Sequence, residues 1–142
     1  MEIQKLAPKD YDRIVKVWEK AGLPFRPAGR DSKNNLTIQL RSNRVIILGA
    51  IDENELIGVV MVTHDGRKGW INRLAVIPEY QHKGIASTLI EESEALLRKR
   101  GYEVYCVLIE KDRDTSEQLF SKFGYKEEKE IAYFTKRKRK DA

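Results

Sequence analysis

The stretch Trp70–Gly101, WINRLAVIPEYQHKGIASTLIEESEALLRKRG, constrains the fold more than any other part of the chain. Trp70 to Ile77 is rich in β-branched and aromatic residues, as a buried or half-buried strand requires. Pro78 cannot donate a ladder hydrogen bond and ends it. From Ile85, the apolar residues Ile85, Ala86, Leu89, Ile90, Leu96 and Leu97 recur at helical spacing, with charged residues between them. Arg98 to Arg100 complement the negative end of the helix dipole, and Gly101 is a natural stop. The reading is strand, basic turn, helix.

The joint between them carries chemistry. Gln81-His82-Lys83-Gly84-Ile85-Ala86 puts backbone N–H groups that no helical bond can satisfy at a positive helix N-terminus. Gly84 permits close backbone approach, while His82 and Lys83 add donors and positive charge. Such a turn suits a phosphate or pyrophosphate. The same residues would also serve as an ordinary strand-to-helix turn, so the hexapeptide alone leaves both readings open.

Its surroundings narrow the choice. Leu74-Ala75-Val76-x-Pro78-x-x-Gln81-x-x-Gly84-x-Ala86 resembles the central signature of the GNAT superfamily, the acyl-CoA-dependent N-acyltransferases. The family's Q/R-x-x-G-x-G/A loop is matched by Gln81, Gly84 and Ala86. The resemblance implies an α/β fold, a GNAT-like mixed central sheet with splayed parallel strands flanked by helices. It implies acetyl-CoA as cosubstrate, with no metal. The strands beginning at Trp70 and Tyr102 would part, and the pantetheine arm would bond the backbone of Leu74, Ala75 and Val76 like an added strand. The pyrophosphate would rest on Gln81, His82, Lys83, Gly84, Ile85, Ala86 and Ser87.

Acyl transfer to an amine needs a neutral amine and a tolerable thiolate. Deprotonating a lysine amine, with a pKa near 10.4, costs roughly 4–5 kcal/mol at pH 7, but an α-amino group costs only about 1. A thiol leaves as thiolate for roughly 2 kcal/mol. Against these needs the chain departs from the family twice. Phe120 stands where family members often carry the tyrosine offered as general acid, so Tyr125 and Tyr133 become candidates, or the thiolate leaves unprotonated. Trp70, Ile71 and Asn72 also lack the carboxylate that some members place early on that strand. The remaining base candidates are Glu110 and His64, which read equally as a solvated strand-end carboxylate and a turn residue before Asp65-Gly66. Trp70 and Asn72 share strand parity with Leu74 and could line the acceptor side. Arg26 and Arg30, in the loop between the first helices, are candidates for binding an acidic acceptor. Cys106, inside an apolar run, reads as a small core residue.

The rest of the chain fits one domain. Its 142 residues suffice for a single core, spanning residues 1–135 before a basic tail at 136–142. Of the net charge of +5, Lys136 to Lys140 supply five positives and Asp141 one negative, leaving the body at only +1. Such a tail is read as solvated; nucleic acid is not the expected partner. A single cysteine excludes an internal disulfide and suits a reducing cytoplasm. No apolar run reaches the roughly 20 residues of a membrane span, and Met1-Glu2-Ile3-Gln4 does not open a secretory signal. Expected partners are an amine acceptor, small molecule or protein, and a second copy in a homodimer. Strands are expected over Ile3–Leu6, Val45–Ile51, Leu56–His64, Tyr102–Ile109 and Ile131–Thr135. Helices are expected over Tyr11 to about Gly22, from Asp31 or Ser32 to Leu40, and over Thr115–Phe123. The reading is an N-acetyltransferase acting on a primary amine. Phe120 and the missing strand carboxylate support the alternative of a non-catalytic acyl-CoA-binding sensor.

Overall fold

A computed structural model describes residues 1–111 and 113–142. Five strands form one sheet in chain order: β1 (Glu2–Lys5), β2 (Val45–Asp52), β3 (Glu55–His64), β4 (Gly69–Val76) and β5 (Tyr105–Cys106). Neighbours are antiparallel except β4 and β5, which are parallel. Four α-helices accompany them among the described residues: α1 (Tyr11–Lys20), α2 (Lys33–Arg41), α3 (Ile85–Lys99) and α4 (Asp114–Lys122). The sheet is therefore mixed and flanked by helices.

Local chemistry explains most boundaries. Asp52 pairs with Glu55 across Glu53 and Asn54, which both have positive φ, the twist a two-residue hairpin needs. Ser32 caps α2, its hydroxyl accepting from the Asn35 amide at 3.1 Å. Asp31, the other candidate cap, is buried and accepts the Arg26 amide at 2.7 Å. On α1, Ile14, Val17 and Trp18 are buried. On α3, Ile85, Leu89, Ile90 and Leu97 are buried. Leu56 to Val62 of β3 are buried without a break, which requires cover on both faces of the sheet. The helices α1 and α3 both pack on β3.

Two expected strands are corrected. Tyr102–Ile109 was expected as a central strand, yet only Tyr105 and Cys106 pair, at the sheet's edge. β4 departs after Trp70, so the following residues have no ladder partner. Val104 and Leu108 are left 48% and 53% exposed. Ile131–Thr135 was expected as the last strand and makes no ladder at all. Its β-prone residues need a neighbouring backbone, which local propensity cannot supply. The end of the chain is instead drawn toward the loop between α1 and α2: Arg139 Nη1 donates to the Ala28 carbonyl at 3.1 Å. Arg139 also pairs with Asp141 at 2.8 Å. The basic tail thus touches the body, where solvation alone was expected.

Candidate active site

The parting of β4 and β5 builds the site. Gly69 pairs with Tyr105 and Trp70 with Cys106, and there the ladder stops. Gly69 has no side chain because a Cβ there would overlap the methyl carbons of the fully buried Leu97. Beyond the last pair, β4 keeps its bonds to β3 but bulges. Met61 faces Asn72 and Val59 faces Ala75, so Arg73 and Leu74 oppose Val60 alone. Arg73 takes φ +55 in the bulge, a conformation uncommon outside glycine. The side of Leu74, Ala75 and Val76 turned from β3 then has no strand beside it, except that Gln81 Nε2 donates to the Val76 carbonyl at 3.0 Å.

At the far end of β4 comes the turn. Pro78–Tyr80 form one 3-10 turn, His82 has φ +63, and Gly84 caps α3 at φ +83. A Cβ on Gly84 would meet nothing within 4 Å. The amides of His82 through Ser87 donate no hydrogen bond to the described residues, while the Gly84 carbonyl accepts from Thr88 N at 3.1 Å. Six backbone donors are therefore left without a partner at a helix N-terminus, an arrangement that suits a diphosphate. Lys83 Nζ lies 5.1 Å above the Tyr80 ring, which restrains its charge next to the turn.

The candidate side chains fall into separate places. His64, at the closed end of the strand pair, is committed: Nδ1 to the Tyr102 hydroxyl at 2.8 Å, Nε2 to the Asn43 carbonyl at 2.9 Å. Arg100 Nη1 lies 3.0 Å from the same Nε2. Glu110 follows β5 on the parting side and is exposed, with one oxygen 3.8 Å from Arg113 Nε. Tyr125 donates its hydroxyl to Glu94 at 2.6 Å. Burial, then the bond and charge of Glu94, hold that phenol far above its ordinary value of 10.0. Phe120 is buried, its ring edge-on to Tyr125 at 5.2 Å. Asn72 Nδ2 donates to Thr63 Oγ1 at 3.2 Å, and Trp70 Nε1 reaches Asp65 at 3.4 Å, so both sit on one cross-strand patch. The guanidinium groups of Arg26 and Arg30 make no hydrogen bond to the described residues.

One residue escaped sequence reasoning. Arg73 stacks its guanidinium carbon 4.4 Å over the ring of buried Trp18, and Nη1 donates to the Pro24 carbonyl at 2.6 Å. Nε and Nη2 are buried without a partner. An unsatisfied buried donor costs about 1–3 kcal/mol, and more when charged. The available signal was an arginine inside an otherwise strand-like run.

The phenol of Tyr125 carries a prediction of its own. Its folded pKa is raised above the unfolded value, so the stability it lends is complete below about pH 10 and declines as pH rises from there. Tyr11 is raised as well, chiefly by burial, and adds in the same direction. Melting temperature should therefore fall with increasing pH above about pH 10, and less steeply in Tyr125→Phe. Equal slopes in the two proteins would refute this account.

A gap between parallel strands, edged with free main-chain groups and followed by an amide-lined turn, suits an acyl-CoA. The chain belongs to the acetyltransferase (GNAT) family, whose model it matches over residues 12–125, and it is an acetyl-CoA-dependent acyltransferase by class. It is 29% identical over 138 residues to the acetyltransferase plu1384 of Photorhabdus laumondii, spanning 96% of this chain and 95% of that one. The PaiA N-acetyltransferase of Thermoplasma acidophilum, solved in complex with coenzyme A, superposes with a TM-score of 0.78 at 26% identity, covering 88% of this chain and 89% of that one. The fold is shared with the aminoglycoside acetyltransferase meta-AAC0020, from an uncultured soil metagenomic sample, solved with sisomicin. That match has a TM-score of 0.78 and 19% identity, over 97% and 96% of the two chains. No described helix is long and apolar enough to cross a membrane.

Proposed function

We propose that the protein moves an acetyl group from acetyl-CoA to a primary amine, on a small molecule or a protein or peptide. The observation that carries the reading is the end of the β4–β5 ladder at Trp70 and Cys106, with the free amides of His82 to Ser87 beyond it. Leu74, Ala75 and Val76 supply main-chain bonds to the pantetheine arm. Gln81 shapes the turn through its bond to Val76, and the amides from His82 to Ser87, with Lys83, hold the diphosphate. Bound there, acetyl-CoA supplies an activated thioester. The chain's part is to fix it in the gap and present the amine. A cytoplasmic setting accords with the lone Cys106.

We assign proton removal from the amine to Glu110, acting through water. Glu110 lies on the open side of the strand pair and is solvated, whereas both ring nitrogens of His64 are engaged at the closed end. With Phe120 unable to donate and Tyr125 held by Glu94, the sulfur leaves as thiolate, at a cost of roughly 2 kcal/mol at pH 7. Glu110→Gln should lower kcat/KM at pH 7 by about 10²-fold, with the deficit closing as pH approaches the acceptor's own pKa. His64→Ala should lower the melting temperature but leave the shape of the pH–rate profile unchanged between about pH 6 and 9. A normal profile in Glu110→Gln would reassign the step to water alone.

The deciding experiment is release of free thiol from acetyl-CoA against pooled amines and peptides. Release with at least one pool supports transfer. Calorimetric binding of acetyl-CoA with no thiol from any pool would mark a sensor.

A further inference from the structure

We infer that Arg73 anchors the acceptor, and that the amine taken by this site carries a carboxylate. The acetyl-transfer reading above says what happens to that amine; three separate observations say how it is held. The first is backbone geometry. Arg73 occupies the left-handed region at φ +55, inside the bulge where β4 is released from its register with β3. A non-glycine residue in such a conformation persists only where its surroundings hold it, and such positions cluster at ligand clamps. The same bulge leads directly into Leu74–Val76, so a group on Arg73 stands next to the thioester's path.

The second observation is the guanidinium itself. Stacking on Trp18 at 4.4 Å fixes its plane, and Nη1 is used on the Pro24 carbonyl at 2.6 Å. Nε and Nη2, the remaining edge, are buried without an acceptor. Those two donors are the pair that a carboxylate engages side by side. Both atoms are buried, so an acceptor reaches them only where the side chains around them give way.

The third is the neighbouring charge. The guanidinium groups of Arg26 and Arg30 make no hydrogen bond to the described residues, and Arg30 acts on Arg73 repulsively. Asp31 acts on Arg73 attractively, but it is buried and accepts the Arg26 amide. An incoming anion therefore meets the positive charges of Arg73 and Arg30 and one negative group already engaged within the loop. A polycationic amine meets repulsion.

The test uses the full chain and ω-amino carboxylic acids of graded length, each paired with its carboxamide. Turnover is read by thiol release from acetyl-CoA. Binding without cosubstrate is read from the tryptophan emission of the unaltered chain, in which Trp18 lies directly under Arg73. At the best length, kcat/KM should favour the acid over its amide by about tenfold or more, and Arg73→Gln should reduce that preference to about threefold or less. Arg73→Lys keeps the charge without the fork and should fall between them; it decides the matter if Arg73→Gln does not fold. Amides used as well as acids, or a preference surviving both variants, overturns the inference. Acids that shift this emission only when Arg73 is present, with no thiol ever released, leave the anchor standing and sink acetyl transfer. No shift and no release sink both.

Discussion

Gly84→Glu should raise the Kd for coenzyme A by about 10²-fold or more, with a fall in melting temperature of only about 3–6 °C. Gly84 holds φ +83 at the N-cap of α3, where a side chain on the left-handed backbone costs about 1–2 kcal/mol. A Cβ there would meet nothing within 4 Å, so no packing clash contributes. The glutamate's charge would stand against the diphosphate and compete for the amides of His82 to Ser87. Gly84→Ala separates these effects, since it carries the backbone cost without the charge and should weaken binding by only about tenfold. Calorimetric titration of both variants is the measurement. Wild-type affinity in Gly84→Glu would show that the diphosphate rests elsewhere.

The second large effect concerns stability. Trp18 is fully buried, tilted against Phe25 at 5.9 Å between ring centres, and lies beneath Arg73. Trp18→Ala should cost about 3–5 kcal/mol, from lost burial and the cavity left behind. That is a large part of the 5–15 kcal/mol that usually holds a domain together. It corresponds to a fall in melting temperature of about 10–15 °C. Trp18→Phe should be far milder, because the indole N–H is buried without a partner and phenylalanine removes that orphan along with some volume. Denaturant unfolding of the two variants would check this. A loss in Trp18→Phe as large as in Trp18→Ala would mean that the indole N–H matters more than the packing.

What the sequence disclosed follows how local each determinant is. Strand β4, the stop at Pro78, the turn and α3 were readable because their signals lie within a few residues of the structure they specify. The Tyr102–Ile109 and Ile131–Thr135 runs misled because a strand needs a partner, and pairing is settled by distant chain. Arg73 went unnoticed for a related reason. Its setting arises from a register slip of β4 against β3, which has no local code, and from Trp18 and Pro24, far away in sequence. His64 was offered as a base from its strand-end position alone, while its bonds to Tyr102, Asn43 and Arg100 depend on tertiary folding. Phe120 was legible as a missing proton donor, and only the fold showed how it packs on Tyr125.

As proposed, the turn before α3 grips through backbone N–H groups, which every amino acid but proline possesses. Substitutions that keep its shape are thus nearly invisible to the shared donor molecule. The anchor proposed at Arg73 enjoys no such immunity, since it would act through its own functional group. Over evolutionary time, descendants of this chain can exchange one recipient for another by altering a handful of codons, and still draw on the same metabolic currency.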